Sequence, residues 1–400
     1  MSGSIGGACE SKFAAVKEEF ERNFAERGEV GASVCLSVNG ETQVDLWGGM
    51  ANPETNDPWR EDTISIVFSC SKAATALCAH ILIDRGELNP EALVADYWPE
   101  FAKNGKEKTT VRMMLNHESA LPTLRDPVRP GGFEDWDYMI KRLEDEEAFW
   151  EPGTRNGYHM INFGWTVGEL VRRVSGKSLG TFFREEVADK TGARFWLGLP
   201  ETEDVHIAPI IPYAPKPGDV PTEFAIKLVT EPESIQHKSF MNNGGWDFNN
   251  RKSQAAEIGG GGGLSNARGQ VAMYTPLATD DGTLVSSDRL KAMSMVTTAT
   301  QRDATLLVPT RFGPGFMKSM DNRALNLGPG TSVIMGEQAF GHVGAGGSIG
   351  FADPEIGLAF SYTMNQMGSG ILVNDRAQSL IDAAYRALGY RTNAPGVWVT

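Results

Sequence analysis

Near the start of the chain, apolar and polar residues follow a pattern that predicts a helix and then two strands. Residues 10–27, ESKFAAVKEEFERNFAER, repeat apolar side chains at helical spacing. The following stretch, GASVCLSVNGETQVDLWGG, alternates around Asn39-Gly40, a pair typical of a two-residue hairpin turn. The chain is therefore expected to open as helix, strand, turn, strand.

The other end of the chain carries a similar pattern. The stretch GGSIGFADPEIGLAFSYTMNQM contains two strand-like runs on either side of Asp353-Pro354. NDRAQSLIDAAYRALGY then has helical periodicity, with Asn374 at the N-cap position. The two chain ends are expected to form one antiparallel sheet flanked by helices.

Between the two ends, residues 96–260 consist mainly of helical patterns and long loops rich in Pro and Gly. Examples of these loops are LPTLRDPVRPGGFEDWD and IPYAPKPGDVP. Loops of this length in compact domains often form lids or the walls of binding sites. We predict a discontinuous sheet domain, residues 1–95 together with 261–400, and an inserted, mainly helical domain, residues 96–260, whose loops line a pocket.

Composition limits the classes of partner. The formal net charge of −14 over 400 residues opposes binding to nucleic acid. No signal-like N-terminus and no run of about 18 apolar residues is present, which favours a soluble, cytoplasmic protein without a membrane span. The four cysteines show no paired spacing typical of a zinc site or a disulfide framework. We expect no metal or organic cofactor, and the oligomeric state stays open.

The tetrad Ser69-Cys70-Ser71-Lys72 lies between the strand-like run TISIVF and a helical stretch that ends at Gly86. Positions i and i+3 share one face of a helix, so the Lys72 amine is expected to reach the Ser69 hydroxyl. A serine hydroxyl needs a neighbouring base, and a lysine is such a base only when its pKa is lowered. The alternative is that Ser69 only caps the helix and Lys72 is solvated.

Two later segments strengthen the catalytic interpretation. Tyr158 follows a Pro/Gly turn and precedes an amphipathic helix, and His342-Val343-Gly344 begins a pattern typical of an edge strand. In this order the three segments resemble the serine β-lactamase and penicillin-binding-protein superfamily, with its S-x-x-K tetrad, Tyr-led second motif and Lys-Thr-Gly-type strand.

The chain resembles most closely the class C-like members known as family VIII carboxylesterases, together with related transesterases. The likeness extends over nearly the whole chain and includes LNHESALP and GKSLGTFFREEVADKTG. It implies an α/β (α+β) β-lactamase-like fold, an acyl-enzyme on Ser69, Lys72 as the adjacent cation or base, and Tyr158 as the proton shuttle. It also implies an oxyanion hole formed by the backbone N–H groups of Ser69 and Ala345. Which of Lys72 and Tyr158 takes the first proton is left open.

Two departures from the family pattern bear on the substrate. Met160 stands where β-lactam enzymes place an Asn, and His342 replaces the Lys that would pair with a β-lactam carboxylate. We therefore expect a serine carboxylesterase for small-molecule esters with short to medium acyl chains, with acyl transfer to alcohols as a possible second reaction. The alternatives are a β-lactamase or D-amino-acid peptidase on the same fold, and a non-catalytic binding or sensor protein.

Several other residues are candidates for roles near these motifs. The candidates for substrate contact are His342, Gly344, Trp150 and Trp246, whereas His117 and His159 are expected to be structural. Ser348 lies in a G-x-S-x-G pattern, but no histidine follows it to act as base. The run of glycines at 259–263 lacks the spacing of a phosphate loop. We interpret it as a close approach of the backbone to the pocket before a helix that starts near Asn266.

Overall fold

Helices cover both faces of one long antiparallel sheet. The computed structural model describes residues 5–400, except for the side chains of residues 204–206. The strands are Gly6–Cys9 (β1), Gly31–Val38 (β2), Glu41–Asn52 (β3), Asp57–Pro58 (β4), Ser65–Ile66 (β5), Phe195–Trp196 (β6), Leu264–Ser265 (β7), Thr298–Thr300 (β8), Thr310–Gly313 (β9), Phe316–Met317 (β10), Phe340–Val343 (β11), Ile349–Asp353 (β12) and Leu358–Met364 (β13). The strand order of the long sheet is β1-β3-β2-β13-β12-β11-β10-β9-β8, and β4 pairs with β3.

Thirteen α-helices are found in the part of the chain that the structure describes. They are Ala14–Glu26 (α1), Ser71–Asp84 (α2), Val111–Leu115 (α3), Trp136–Asp145 (α4), Phe163–Ser175 (α5), Leu179–Phe183 (α6), Asp189–Thr191 (α7), Glu223–Thr230 (α8), Ile235–Met241 (α9), Arg251–Ala255 (α10), Ala267–Thr279 (α11), Ser287–Ser294 (α12) and Asp375–Ala387 (α13). Helix α11 packs across β2, β12 and β13, whereas α1 packs against α13 and β3.

The predicted opening of the chain is confirmed. Helix α1 leads into the β2–β3 hairpin, which pairs in antiparallel register. Its turn residues, Asn39 and Gly40, have φ values of 50° and 85°. Two consecutive positive φ values give the twist that joins antiparallel strands through two residues, which explains why Asn-Gly marks this turn.

The two chain ends meet at the centre of the sheet. Strands β12 and β13 form the second predicted hairpin, and β13 pairs with β2 over seven residues, from Leu358 opposite Val38 to Met364 opposite Ala32. The Asn374 side chain accepts a hydrogen bond from the Arg376 N–H at 3.2 Å and caps α13. The predicted antiparallel sheet with flanking helices is thus confirmed.

Alternation along β13 divides the interior into two apolar cores. Leu358 and Phe360 pack with residues of α1 and α13, whereas Ala359 faces the core that contains α2 and α11. Successive side chains of a strand point to opposite faces, so this pattern buries both faces of the sheet. Helix α2, which follows the predicted nucleophile, is therefore almost completely buried.

The segment before the nucleophile is shorter as a strand than its sequence indicates. Within TISIVF, Ser65–Ile66 form a strand in a small sheet of order β5-β7-β6, and Ile64 makes one isolated bridge with Ile207. Strand β7 follows the glycine run, and β6 comes from the middle of the chain. This small sheet joins the nucleophile segment to the end of the glycine run.

Residues 96–260 contain α3 to α10 and the short strand β6. This content agrees with the expected mainly helical character of the middle of the chain. The division into two domains at the boundaries given above stays a prediction.

Strand β11 differs from the expected edge strand. It lies between β10 and β12 in the sheet. Its pairing with β10 is limited to Gly341 opposite Met317, whereas its pairing with β12 extends to Val343. Within the described residues, the end of β11 therefore has a strand neighbour, β12, on one side only. The residues that follow this end, Gly344 and Ala345, line the same cavity as Ser69.

Candidate active site

Ser69 lies in a single 3₁₀ turn, Phe68–Cys70, directly before α2. Phe68 has a φ of 45°, a left-handed conformation that costs a non-glycine residue of order 1–3 kcal/mol. Its ring is buried and packs edge-on against Phe248, with ring centroids 5.3 Å apart. Packing of the ring thus holds the strained residue that turns the chain from β5 into the helix and presents Ser69.

Gly263, the last residue of the glycine run, fixes this turn through hydrogen bonds of its backbone. The Ser71 hydroxyl donates to the Phe68 carbonyl at 2.5 Å and accepts from the Gly263 N–H at 2.8 Å. The Val67 N–H donates to the Gly263 carbonyl at 2.9 Å. A Cβ at position 263 would lie 2.7 Å from the Ser71 hydroxyl oxygen, so the close approach requires glycine.

The Lys72 amine reaches Ser69 as the helical spacing predicts. Its Nζ lies 2.8 Å from Ser69 Oγ and 2.6 Å from each of two main-chain carbonyl oxygens, those of Met160 and Gly260. The side chain is fully buried. Burial is the main cause that lowers the pKa of Lys72 well below the usual value for lysine, because desolvation disfavours the ammonium form.

Tyr158 lies beside Ser69 and Lys72. Its ring lies 4.8 Å from Lys72 Nζ and stacks on Phe312, with centroids 6.0 Å apart. Burial raises the pKa of the Tyr158 phenol well above its usual range, and a hydrogen bond with Ser69 opposes this shift in part. The structure therefore brings the hydroxyl, the amine and the phenol of Ser69, Lys72 and Tyr158 together.

The third predicted segment borders the same space. Gly344 and Ala345 follow β11, and both line the cavity into which Ser69 opens. A Cβ on Gly344 would lie 2.3 Å from the Val67 carbonyl oxygen and from Ser348 Oγ, so only glycine fits between the nucleophile turn and the sheet.

The cavity above Ser69 has a volume of about 600 Å³ and a mostly apolar wall. Its wall is formed by the loop at 213–222 and by α8, together with residues 343–346 and 367–371. Among its lining residues, Lys216 and Asp219 are charged, and both lie in the same loop. A site of this size and polarity suits an uncharged organic molecule.

The comparisons with known proteins agree with this geometry. The Beta-lactamase family model matches residues 18–384. The chain belongs to the beta-lactamase family. The predicted family and fold are thereby confirmed.

Relatives of this beta-lactamase-family protein include esterases. It is 32% identical to the esterase/beta-lactamase LipL of Mycobacterium tuberculosis, over 93% of this chain and 86% of that protein. A solved family VIII carboxylesterase shares 36% identity with a TM-score of 0.83, covering 96% of this chain and 100% of the other. A penicillin-binding protein homologue from Caulobacter crescentus shares 33% identity with a TM-score of 0.84 over 96% and 100% of the two chains.

His342 lies elsewhere than expected for a residue of the pocket wall. It is buried, it is absent from the residues that line the cavity, and its Nδ1 lies 2.7 Å from the Val343 carbonyl oxygen. Val343, the next residue of β11, lines the cavity instead. The His342 ring packs instead against the Tyr158 ring, with ring centroids 5.9 Å apart. Burial lowers the pKa of His342 to about 3, so its imidazole is neutral.

The two tryptophans proposed for the pocket also lie outside the cavity wall. The Trp150 Nε1–H donates to the Arg155 carbonyl at 3.0 Å, and its ring packs against Gly157, next to Tyr158. Trp246 packs between Phe133 and Phe248, with ring centroids 5.9 Å from each. Both support loops close to the site, whereas Gly344 is the one of the four candidates that lines the cavity.

The remaining polar residues are placed as follows. In the His159 ring, Nε2 lies 2.8 Å from the Ser119 hydroxyl and Nδ1 lies 2.7 Å from the Gly157 carbonyl oxygen. The backbone N–H of His159 donates to His117 Nδ1 at 3.1 Å. Ser348 is buried before β12, where the chain enters a strand and not a helix. These contacts agree with structural roles for both histidines and with the argument against Ser348 as nucleophile.

Sequence reasoning missed the two carbonyl groups that hold Lys72. Main-chain carbonyls carry no residue signature, but the run at 259–263 was a usable signal, because it indicated a close backbone approach. The helix expected near Asn266 begins there, with the Asn266 side chain accepting from the Gly269 N–H at 2.9 Å.

Among the side chains that the structure describes, no group of three or more His, Cys, Asp or Glu is arranged to hold a metal ion. Between residues 5 and 400, no helix is long and apolar enough to cross a bilayer.

Proposed function

We propose that this protein is a serine carboxylesterase that cleaves esters through an acyl-enzyme on Ser69. The observation that carries the proposal is the 2.8 Å contact between Ser69 Oγ and a buried amine, Lys72 Nζ, at the floor of an apolar cavity. The esterase relatives support the same reaction class.

The contacts of Lys72 favour it as the first general base. Its two carbonyl neighbours, on Met160 and Gly260, can only accept hydrogen bonds. A neutral amine has two hydrogens and one lone pair, so both hydrogens go to the carbonyls and the lone pair is left for the Ser69 hydroxyl. The lowered pKa of Lys72 makes this neutral form accessible.

Tyr158 then acts as the general acid. Its raised pKa keeps the phenol protonated, and its hydrogen bond with Ser69 sets it beside the bond that must break. Ser69 Oγ bonds to the ester carbonyl carbon while its proton passes to Lys72 Nζ. The bond from that carbon to the alcohol oxygen breaks, and the alcohol leaves with a proton from Tyr158, which regains one from Lys72 through the hydrogen-bonded group.

Resolution of the acyl-enzyme reverses this proton path. A water molecule bonds to the acyl carbon, the bond to Ser69 Oγ breaks, and a carboxylic acid is released with the Ser69 hydroxyl restored. A second alcohol in place of water gives acyl transfer. In both halves of the reaction we assign the oxyanion to the N–H groups of Ser69 and Ala345, since both residues border the cavity floor.

The wall of the cavity favours an uncharged, apolar acyl group. Side chains such as Met160, Leu228 and Met317 line it, and the two lining charges, Lys216 and Asp219, are of opposite sign. The residue in the place of the β-lactam-binding Lys is His342, which is buried and neutral. An ester of a short to medium aliphatic acid therefore fits better than a β-lactam with its carboxylate.

The test compares substrates at matched concentration. We expect p-nitrophenyl butyrate to be cleaved with a much larger kcat/KM than nitrocefin or a D-Ala-D-Ala peptide, and Ser69→Ala to abolish the ester activity. Faster cleavage of nitrocefin or of the peptide would contradict the proposal in favour of a β-lactamase or a peptidase. Absence of turnover on all three, with the protein folded, would favour a binding or sensor protein.

A further inference from the structure

A buried carboxylate lies directly behind Tyr158. Asp303, in the loop between β8 and β9, is completely buried. Its Oδ1 and Oδ2 accept the Tyr158 N–H at 3.0 and 3.1 Å. Oδ1 also accepts the N–H groups of Thr305 and Leu306, each at 2.8 Å. One side chain thus ties the backbone of Tyr158 to a loop more than a hundred residues further along the chain.

The rest of this loop is fastened to the same segment. The Ala304 N–H donates to the Asn156 carbonyl at 3.1 Å, and the Asn156 side chain donates to the Asn116 carbonyl at 2.8 Å. The backbone on either side of residue 157 is therefore held by adjacent residues of one loop. Removing the Asp303 carboxylate would leave the Tyr158 N–H buried without its acceptor, which is unfavourable.

The loop also reaches the wall of the cavity. The Leu306 side chain lines the cavity, and its N–H is one of the groups that Asp303 holds. Gln236 of α9 donates from Nε2 to the carbonyls of Ala304 and Thr305 at 2.8 and 2.9 Å. The loop of Asp303 therefore connects Tyr158, one wall residue and α9.

The negative charge of Asp303 also supports Tyr158 as a proton donor, in addition to the hydrogen bonds that hold its backbone. Its negative charge contributes to raising the pKa of the Tyr158 phenol, although burial is the larger cause. Burial raises the pKa of Asp303 itself, and the three N–H donors oppose that shift. A carboxylate held in this way favours a protonated phenol at position 158, as a general acid requires.

We propose that Asp303 is a positioning residue for the reaction, holding the backbone of Tyr158 so that its phenol stays on Ser69 while Leu306 stays in the acyl wall. This inference rests on the proposed function of Ser69 and Tyr158. Asp303 touches neither the substrate space nor the reacting atoms. Its effect must therefore pass through Tyr158, and this condition defines the test.

Two substitutions separate the parts of this role. Asp303→Ala removes every acceptor, and we expect kcat for ester hydrolysis to fall about 10²-fold with little change in KM, the size of effect that a displacement of about 1 Å can cause. Asp303→Asn keeps an oxygen that can occupy the Oδ1 position, but its amide NH2 replaces the Oδ2 acceptor of the Tyr158 N–H, so we expect kcat to recover only in part and to stay about tenfold below the wild type. Active-site titration with a fluorophosphonate normalises each rate to the folded, reactive fraction.

Asp353→Asn is the matched control. Asp353 is another completely buried carboxylate, at the far end of β12, where it accepts from the Tyr385 hydroxyl at 2.7 Å and the Glu355 N–H at 3.2 Å. We expect this variant to lose stability but to keep its kcat per titrated site. An equal loss of kcat in both Asn variants would show a general effect of buried carboxylates and overturn the proposal.

The decisive comparison is a double-mutant cycle. If Asp303 acts through the Tyr158 phenol, Asp303→Asn should change kcat by less than about twofold in a Tyr158→Phe background. The proposal would be overturned if Asp303→Asn lowered kcat in the Tyr158→Phe background by the same factor as in the wild type. It would also be overturned if Asp303→Ala had the kcat of the wild type.

The fluorophosphonate labelling rate keeps this test independent of the ester assignment. If wild-type Ser69 is labelled but no ester turns over, the proposed function fails while the labelling rates of the variants still test Asp303. Should Asp303→Ala not fold, Asp303→Asn and the cycle still give the answer.

Discussion

The floor and the mouth of the catalytic cavity are built differently. At the floor, Ser69, Lys72 and Tyr158 are buried or nearly so. Carbonyl groups of Met160 and of the glycine run hold the Lys72 amine, and the Asp303 carboxylate holds the backbone of Tyr158. At the mouth, the loop at 213–222 and the short helix α8 expose apolar side chains such as Val220, Ile226 and Val229, with 66%, 47% and 77% of their surface accessible.

This difference separates chemistry from substrate choice. The floor needs fixed distances and a desolvated amine, and both follow from burial between a helix and a sheet. The mouth needs only shape and apolar surface, which a loop with several prolines and a short helix can supply and vary. Substitutions at the floor should therefore change kcat by orders of magnitude, whereas those at the mouth should act mainly on KM.

The largest effect is expected from Lys72→Arg. A guanidinium stays protonated and cannot take the Ser69 proton, so kcat/KM for p-nitrophenyl butyrate should fall about 10³-fold. Lys106→Arg is the matched control, since Lys106 is also buried and donates to the Glu144 carbonyl at 3.1 Å, outside the site. Near-normal ester hydrolysis by Lys72→Arg would remove Lys72 as the base.

Tyr158→Phe should come next, with a loss of about 10²-fold in kcat, because the leaving alcohol loses its proton donor while the ring keeps its packing. Esters with good leaving groups depend less on that donor, so the loss should be larger for ethyl butyrate than for the p-nitrophenyl ester. Tyr385→Phe, a buried tyrosine whose hydroxyl donates to Asp353, serves as control. Equal losses for the two esters would contradict a role as general acid.

The pH dependence of the wild type tests the amine directly. Lys72 must be neutral to accept a proton, so kcat/KM should fall about tenfold per pH unit once the pH drops below the Lys72 pKa. Because burial lowers that pKa, the fall should begin well below 10.5, the value for an exposed lysine. The raised pKa of Tyr158 predicts that activity persists on the alkaline side. A profile that rises only near pH 10.5 would show an ordinary solvated lysine.

At the mouth, Leu228→Ala should raise KM for a hexanoate ester by about tenfold and leave kcat nearly unchanged. Leu228 lines the cavity, and loss of a few methylene contacts with an acyl chain is worth about 1–3 kcal/mol. The effect should be smaller for an acetate ester, whose chain does not extend as far. A fall in kcat without a change in KM would place the mouth in the chemistry.

The smallest effect is expected from Val229→Ser. Val229 lies on α8 but outside the cavity lining, and 77% of its surface is exposed. Removing an exposed apolar side chain should change stability by less than about 0.5 kcal/mol and leave both kinetic constants within about twofold for soluble esters. A large change in either constant would mean that this outer face of α8 takes part in catalysis.

The same contrast explains what could be predicted from the sequence. Ser69 and Lys72 are linked by helical spacing, and the Asn39-Gly40 turn and the Asn374 cap act within a few residues, so local patterns identify them. Asp303 has no such pattern, because its partner Tyr158 is distant in the chain and contributes only a backbone N–H.

His342 shows how a local pattern can mislead by one position. The motif resemblance aligns it with a substrate-binding Lys, but the register of β11 puts Val343 on the cavity side. The large residues of the pocket were also misplaced, since Trp150 and Trp246 pack under loops. The wall comes from the loop at 213–222 and α8, whose position depends on tertiary contacts that no local pattern encodes.

The most direct test of the account is to identify the residue that a fluorophosphonate modifies. After incubation with the probe, mass spectrometry of the intact protein and of its peptides should find one adduct, on Ser69, with labelling abolished in Ser69→Ala and strongly slowed in Lys72→Arg. An adduct on Ser348, or undiminished labelling of Ser69→Ala, would contradict it.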